Sequence, residues 1–230
     1  MPACDAASII FYLTANDLIT LDRHQTDAQQ LVHLPPFLPQ STLPEAGGSD
    51  GNGPLLCAGM MREGDKLASY KVLADTLDHL TAPDWQLQIA GDGPARAQVE
   101  TLMAPFDKRV TFLGALDRDS LLRAYQGASI FVWPGVNEAF GMVYLEAQAT
   151  GLPVVAQDRP GLRDVVYAPR PAPDAGAPAL AAEIDRLLGD PALRRATGQA
   201  ARDRIAAHHL LGAATDTIWG ALTPLLETRQ

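Results

Sequence analysis

Short apolar runs alternate with longer amphipathic stretches through the middle of the chain. LLCAG (55–59), LQIAG (87–91), RVTFLG (109–114), ASIFVW (128–133) and PVVAQ (153–157) are dominated by aliphatic and aromatic side chains. Runs this short and this apolar read as strands. Between them, LASYKVLADTLDHL (67–80), ARAQVETLM (95–103), DSLLRAYQ (119–126) and FGMVYLEAQAT (140–150) space their apolar residues three and four apart, as helices do. In the first of these, Leu67, Tyr70, Leu73 or Ala74, Leu77 and Leu80 form the core-facing stripe. Strand and helix in alternation predict an α/β fold, a Rossmann-like parallel sheet with helices on both faces.

The flanks read differently. SIIFYL predicts one strand, TANDLITLD one helix, and LVHLPPFLP an extended exit, too little for a domain. From 39 to 54, seven of sixteen positions are Gly or Pro, which marks a linker. A second break, APRPAPDAGAP (168–178), precedes AAEIDRLL, a helix opened by Pro191, and a last amphipathic segment through Ile218 and Leu226. The expected division is therefore 1–38, a linker at 39–54, the sheet domain at 55–215, and a C-terminal helix at 216–230.

Composition narrows the function. Lys and Arg number 18 against 27 Asp and Glu, a net charge of −9, which excludes a broad basic surface for nucleic acid or membranes. An anionic ligand must then be held by a few local cations or by helix N-termini. The two cysteines, Cys4 and Cys57, form no metal or disulfide pattern and fit a reducing cytoplasm. The apolar run Ile9 to Leu13 falls far short of the ~20 residues that span a bilayer, and no basic residue precedes it, so neither export nor a transmembrane segment is expected.

Ligands of parallel sheets bind beyond the C-terminal strand ends. After LLCAG come Arg62, Gly64 and Lys66; Gly59 and Gly64 have P-loop spacing, but Asp65 and Lys66 stand where Lys and Ser or Thr are required. After LQIAG, Gly91-x-Gly93 is a dinucleotide fingerprint lacking its third glycine, replaced by Arg96. The loop after SIFVW is richer. It places Glu138 just before a helix and Glu146 about two turns on, with free N–H groups near Gly141 to Val143 between them. Such a site can grip a phosphate at the helix end and hydroxyls at both carboxylates, and a sugar nucleotide offers groups of both kinds. Either Glu taken singly is equally a carboxylate on a helix start or on a solvated face. His24, His33 and His79 have no cluster of partners, so no metal site is expected. His208 and His209 read as structural or surface residues, and Trp85, Trp133 and Trp219 as packing.

The run E-A-F-G-M-V-Y-L-E-A (138–147) resembles the E-x(7)-E motif of family 4 glycosyltransferases, retaining sugar transferases of the GT-B fold. G-D-G-P, F-L-G, W-P and G-L-P-V-V-A fall in the same family's order around it, so the resemblance covers about 55–166. It implies that Glu138 contacts donor-sugar hydroxyls, that the backbone of Phe140, Gly141, Met142 and Val143 holds sugar and diphosphate, and that Glu146 takes the ribose diol. Gly114 to Leu116 would face the base. Arg62 and Lys66 would neutralise the leaving diphosphate, although Met60 stands where many members carry Arg, and Asp158 to Gly161 depart from the usual paired glycines. The implied activity is sugar transfer from a nucleoside diphosphate to an acceptor hydroxyl, with no metal or other cofactor. The implied fold is half of a GT-B enzyme, with 1–38 a remnant of the acceptor domain. The implied partners are a nucleotide sugar and an acceptor, and either the chain is a truncated product or a separate acceptor-domain chain completes the cleft. The alternative is a module that binds nucleotide sugar without catalysis.

Overall fold

The structure, a computed structural model, describes residues 6–47 and 52–227. Five strands form one parallel sheet: β3 (Leu55–Ala58), β4 (Leu87–Ala90), β5 (Val110–Gly114), β6 (Ile130–Val132) and β7 (Val154–Val155), in the order β5-β4-β3-β6-β7. β1 (Ile9–Tyr12) and β2 (Gln30–His33) pair separately as a parallel two-stranded sheet. The helices are α1 (Ala15–Asp22), α2 (Asp65–Asp78), α3 (Arg96–Met103), α4 (Arg118–Gly127), α5 (Met142–Ala149), α6 (Gly176–Gly189), α7 (Pro191–His208) and α8 (Leu211–Glu227). The expected fold class is the one observed. Every residue of β3 and β6 is buried, which is why these strands carry no polar alternation.

From β3 the chain winds outward through β4 to β5, then returns past β3 to lay β6 on its other side. That reversal opens a crevice beyond the C-terminal ends of β3 and β6. The α2 stripe is seated as its spacing requires: Leu67, Tyr70, Leu73, Ala74 and Leu77 are all buried, and the helix ends before Leu80. α2 packs on α3 and α6, and α5 packs on α7.

The termini bring corrections. The segment from Leu31 is not simply an extended exit, because Gln30–His33 is a strand in register with β1. Its neighbour α1 starts with a capping box between Thr14 and Asp17. Further on, the Leu38 amide donates to the His209 carbonyl at 2.8 Å, and Leu38 bridges to Leu210. The Gly/Pro-rich stretch is pinned over its described part, since the Gly47 amide donates to the Thr150 carbonyl at 2.9 Å. Residues 48–51 of it, like Cys4, lie outside the described residues. α8 starts at Leu211 rather than 216. Trp85 and Trp133 are buried, but Trp219 on α8 is 56% exposed and is not a packing residue. Among the described residues no helix is long and apolar enough to cross a membrane.

Candidate functional site

Two loops meet at the crevice. One follows β3 and leads through Gly64, at φ +79, into α2; the other follows β6 and leads through Gly141, at φ +46, into α5. Lys66 lies in the first turn of α2, and its Nζ donates to Glu138 Oε2 at 2.5 Å. The same Glu138 oxygen accepts from Trp133 Nε1 at 3.4 Å, and the Lys66 ammonium stands 5.7 Å from the centre of the Trp133 ring. Both side chains are only 16% exposed, so the pair is shielded from water while still open to a ligand.

This arrangement is braced from beneath. Trp133 is fully buried at the end of β6, with Tyr70 packed edge-on at 4.9 Å. Tyr70 in turn donates to the Gly59 carbonyl at 2.8 Å, and Tyr144 donates to the Trp133 carbonyl at 3.1 Å. The second loop is tied to α2 at two points: Val136 N–H donates to Ser69 Oγ at 3.0 Å, and Asn137 Nδ2 donates to Asp65 Oδ1 at 2.9 Å. Gly161 presses against it from the other side, where a Cβ would lie 2.1 Å from the Ala139 carbonyl oxygen and 2.2 Å from that of Glu138.

At the start of α5, Gly141 contributes no side-chain cap, and helix geometry supplies no carbonyl for the first-turn amides of Met142 and Val143. Further along the same helix, Glu146 Oε2 accepts from the Tyr125 hydroxyl at 3.1 Å. Burial pushes the Glu146 carboxyl above its usual range, with the Tyr125 hydrogen bond and the positive charge of Arg118 pulling it part of the way back. Glu146 opens into a cavity of about 380 Å³, together with Leu116, Arg118, Leu121, Tyr125 and the segment Leu38 to Gln40. A second cavity, of about 410 Å³, holds Glu138, Asn137, Phe140 and Arg159 on one wall and Thr14, Asn16 and Asp17 on the other. A larger hollow of about 540 Å³ sits at the opposite end of the sheet, around Trp85 and Arg194, remote from these groups.

The structure therefore brings Lys66 and Glu138 together, sets the Phe140 to Val143 backbone beside them, and places Glu146 and Leu116 around one cavity. Arg62 is exposed and takes no part in the contact between Lys66 and Glu138. Gly114, at φ +70, has open space where a Cβ would be, and its carbonyl accepts from Gly91 N–H at 2.8 Å. Trp133, Asn137, Tyr125 and Arg159 escaped the sequence reading as site residues; only the Trp133 position, closing a strand before Pro134, gave a signal. Gly91 and Gly93 have a packing purpose: a Cβ would lie 2.0 Å from the Gly59 oxygen and 2.3 Å from that of Met61. Among the described residues, no group of three or more His, Cys, Asp or Glu is placed to hold a metal ion.

Known proteins share this framework. The sucrose-phosphate synthase structure from Thermosynechococcus elongatus superposes on 97% of the chain with a TM-score of 0.80 and 26% identity, the chain covering 59% of it. A GDP-mannose-dependent monoacylated alpha-(1-6)-phosphatidylinositol monomannoside mannosyltransferase of Corynebacterium glutamicum is 33% identical over 139 residues, 54% of this chain and 35% of that protein. A sulfoquinovosyl transferase of Arabidopsis thaliana is 36% identical over 98 residues, 43% of this chain and 18% of the relative. The chain thus spans well under two thirds of the length of these relatives. The family model described as Glycosyl transferases group 1 matches residues 53–190, from the residues before β3 to the start of α7, and so takes in Lys66, Glu138 and Glu146. On that match, the chain belongs to the glycosyl transferases of group 1.

Proposed function

We propose that the chain is the donor-binding half of a retaining glycosyltransferase, an enzyme that moves a sugar from a nucleoside diphosphate to an acceptor hydroxyl. The observation that carries this reading is the meeting of Lys66, Glu138 and the uncapped start of α5 at the sheet's reversal point. In this reading Lys66, with Arg62 from the same loop, neutralises the diphosphate while the Met142 and Val143 amides hydrogen-bond its oxygens. Glu138 accepts from donor-sugar hydroxyls, and Glu146 accepts from the ribose diol. Gly114 and Leu116 flank the base, and Phe140 and Gly141 bound the sugar. The bond from the anomeric carbon to the diphosphate oxygen breaks with its electron pair going to the diphosphate. The acceptor oxygen bonds to that carbon on the same face, and its proton passes to the leaving diphosphate oxygen. The charge is met by side chains and amides, with no metal or other cofactor.

A second reading, a nucleotide-sugar-binding subunit completed by a separate acceptor-domain chain, is favoured by β1, β2 and α1. No residue of β1 or α1 is fully buried, so this unit lacks a core of its own. In both readings 1–38 belongs with the acceptor side, the protein works in the cytoplasm, and the cleft is incomplete in this chain. The test is isothermal titration with nucleoside diphosphates and their sugars, followed by donor-hydrolysis and transfer assays with and without an added acceptor domain. Saturable binding with negligible transfer by the chain alone is expected, and EDTA should change neither. Absence of binding at millimolar ligand overturns both readings.

A further inference from the structure

The cavity beside Glu146 has one polar edge that the family motifs do not account for. Gln40, on the segment that leaves β2, accepts a hydrogen bond at its Oε1 from Arg118 Nη2 at 3.0 Å. An arginine can only donate, so the amide oxygen of Gln40 must face it. What remains of the pair is then one kind of group: the Gln40 Nε2 amide and the other guanidinium N–H groups, all donors. The Gln40 backbone is anchored as well, since its carbonyl accepts from Leu211 N–H at 3.1 Å. The rest of the cavity near this edge is apolar, with Leu38, Leu116, Leu121 and Leu122 on its walls. The other polar groups are Glu146 and Tyr125, and the Tyr125 hydroxyl already donates to Glu146.

Apolar walls with a donor edge and an acceptor carboxylate in the same cavity suit a nucleoside whose ribose diol meets Glu146. Bases differ at the edge they would present. Guanine offers O6 and N7 acceptors and uracil, like thymine, an O4 acceptor, whereas cytosine presents an exocyclic amino donor there and adenine sets its amino donor beside the N7 acceptor, where guanine has O6. An amino group facing amide and guanidinium N–H groups leaves donors opposed and unpaired. We propose that the Gln40 and Arg118 pair selects the base of the donor nucleotide, favouring the keto bases uracil and guanine over adenine and cytosine.

The inference rests on the nucleotide-sugar reading, and the test separates the two. The diphosphates of uridine, guanosine, adenosine and cytidine are titrated into the wild-type chain and into Gln40→Ala, Arg118→Ala and Gln40→Glu, each checked for an unchanged melting temperature. The wild type should bind the uridine or guanosine compound about tenfold more tightly than the other two, the worth of one good polar contact. Gln40→Ala and Arg118→Ala should bring the four together. Gln40→Glu keeps an oxygen for Arg118 but exchanges the amide donor for an acceptor, and so should shift the preference towards adenosine and cytidine. Equal binding of all four by the wild type, variants that keep the original ranking, or variants that weaken all four alike would overturn the selection while leaving the nucleotide site standing. Failure of all four to bind the wild type would overturn the functional reading and this selection with it.

Discussion

Lys66 and Glu138 pair their charges at the crevice, and in the proposed reading a donor engages both. Each charged hydrogen bond lost to a ligand is worth about 1.5–3 kcal/mol, so Lys66→Ala and Glu138→Ala should each weaken nucleotide-sugar binding about ten- to a hundredfold. Because the two touch, the double variant should lose less than the sum of the single losses. Titration of all three variants gives that coupling directly, and strictly additive losses would mean that the two groups act independently. Glu146 is expected to show opposite effects on stability and binding. Its carboxyl keeps a proton to higher pH when folded than when unfolded. The stability this provides is present at low pH and is lost as pH rises through the raised value. Above that window Glu146→Gln should raise the melting temperature, since a neutral group replaces a half-buried charge, while weakening nucleotide binding. A melting temperature that falls would show that the carboxylate is needed for the fold.

At the level of elements, glycines and caps decide how closely the two loops approach. Gly161→Ala would drive a methyl group into the Ala139 and Glu138 carbonyls, so a loss of roughly 1–3 kcal/mol in stability is expected, together with weaker donor binding. Gly220→Ala, within α8 and with no atom near the new methyl, should instead stabilise by about 0.5–1 kcal/mol and leave binding unchanged. Chemical denaturation and titration of the two variants separate the effects. The alternation of β3 to β7 with their helices was legible in the sequence because each strand is a short apolar run, buried throughout in β3, β6 and β7 and only partly in the edge strand β5, and each helix carries a stripe. β2 was not, since Gln30–His33 has only two apolar residues and pairs with β1 alone. The E-x(7)-E spacing located Glu138 and Glu146, but the contact between Lys66 and Glu138 joins residues 72 apart and exists only once β6 lies beside β3. Trp219 carries an apolar side chain at a helical spacing, yet nothing in the chain says whether a given stripe meets a partner.

Across the whole molecule, His209 joins segments far apart in sequence. Its Nδ1 faces the Pro36 carbonyl at 2.6 Å, so that nitrogen carries the proton, and its Nε2 accepts from the Tyr167 hydroxyl at 2.5 Å. Burial lowers its proton affinity, and the charges of His208, His33 and Arg204 lower it further, against the pull of the Pro36 carbonyl. The unfolded chain therefore takes up the proton first as pH falls. Stability is full above the ordinary histidine value of 6.5 and declines below it. The difference in melting temperature between the wild type and His209→Asn should accordingly narrow from pH 7.5 towards pH 5; a constant difference would show that His209 does not titrate. The placing of Trp133 has an optical consequence. Its indole N–H and ring face touch the two charges that a donor would draw away, whereas Trp85 is buried elsewhere and Trp219 already meets solvent. Intrinsic fluorescence should thus report occupancy without any label: nucleotide sugar should shift the emission of the wild type and leave that of Trp133→Phe unmoved.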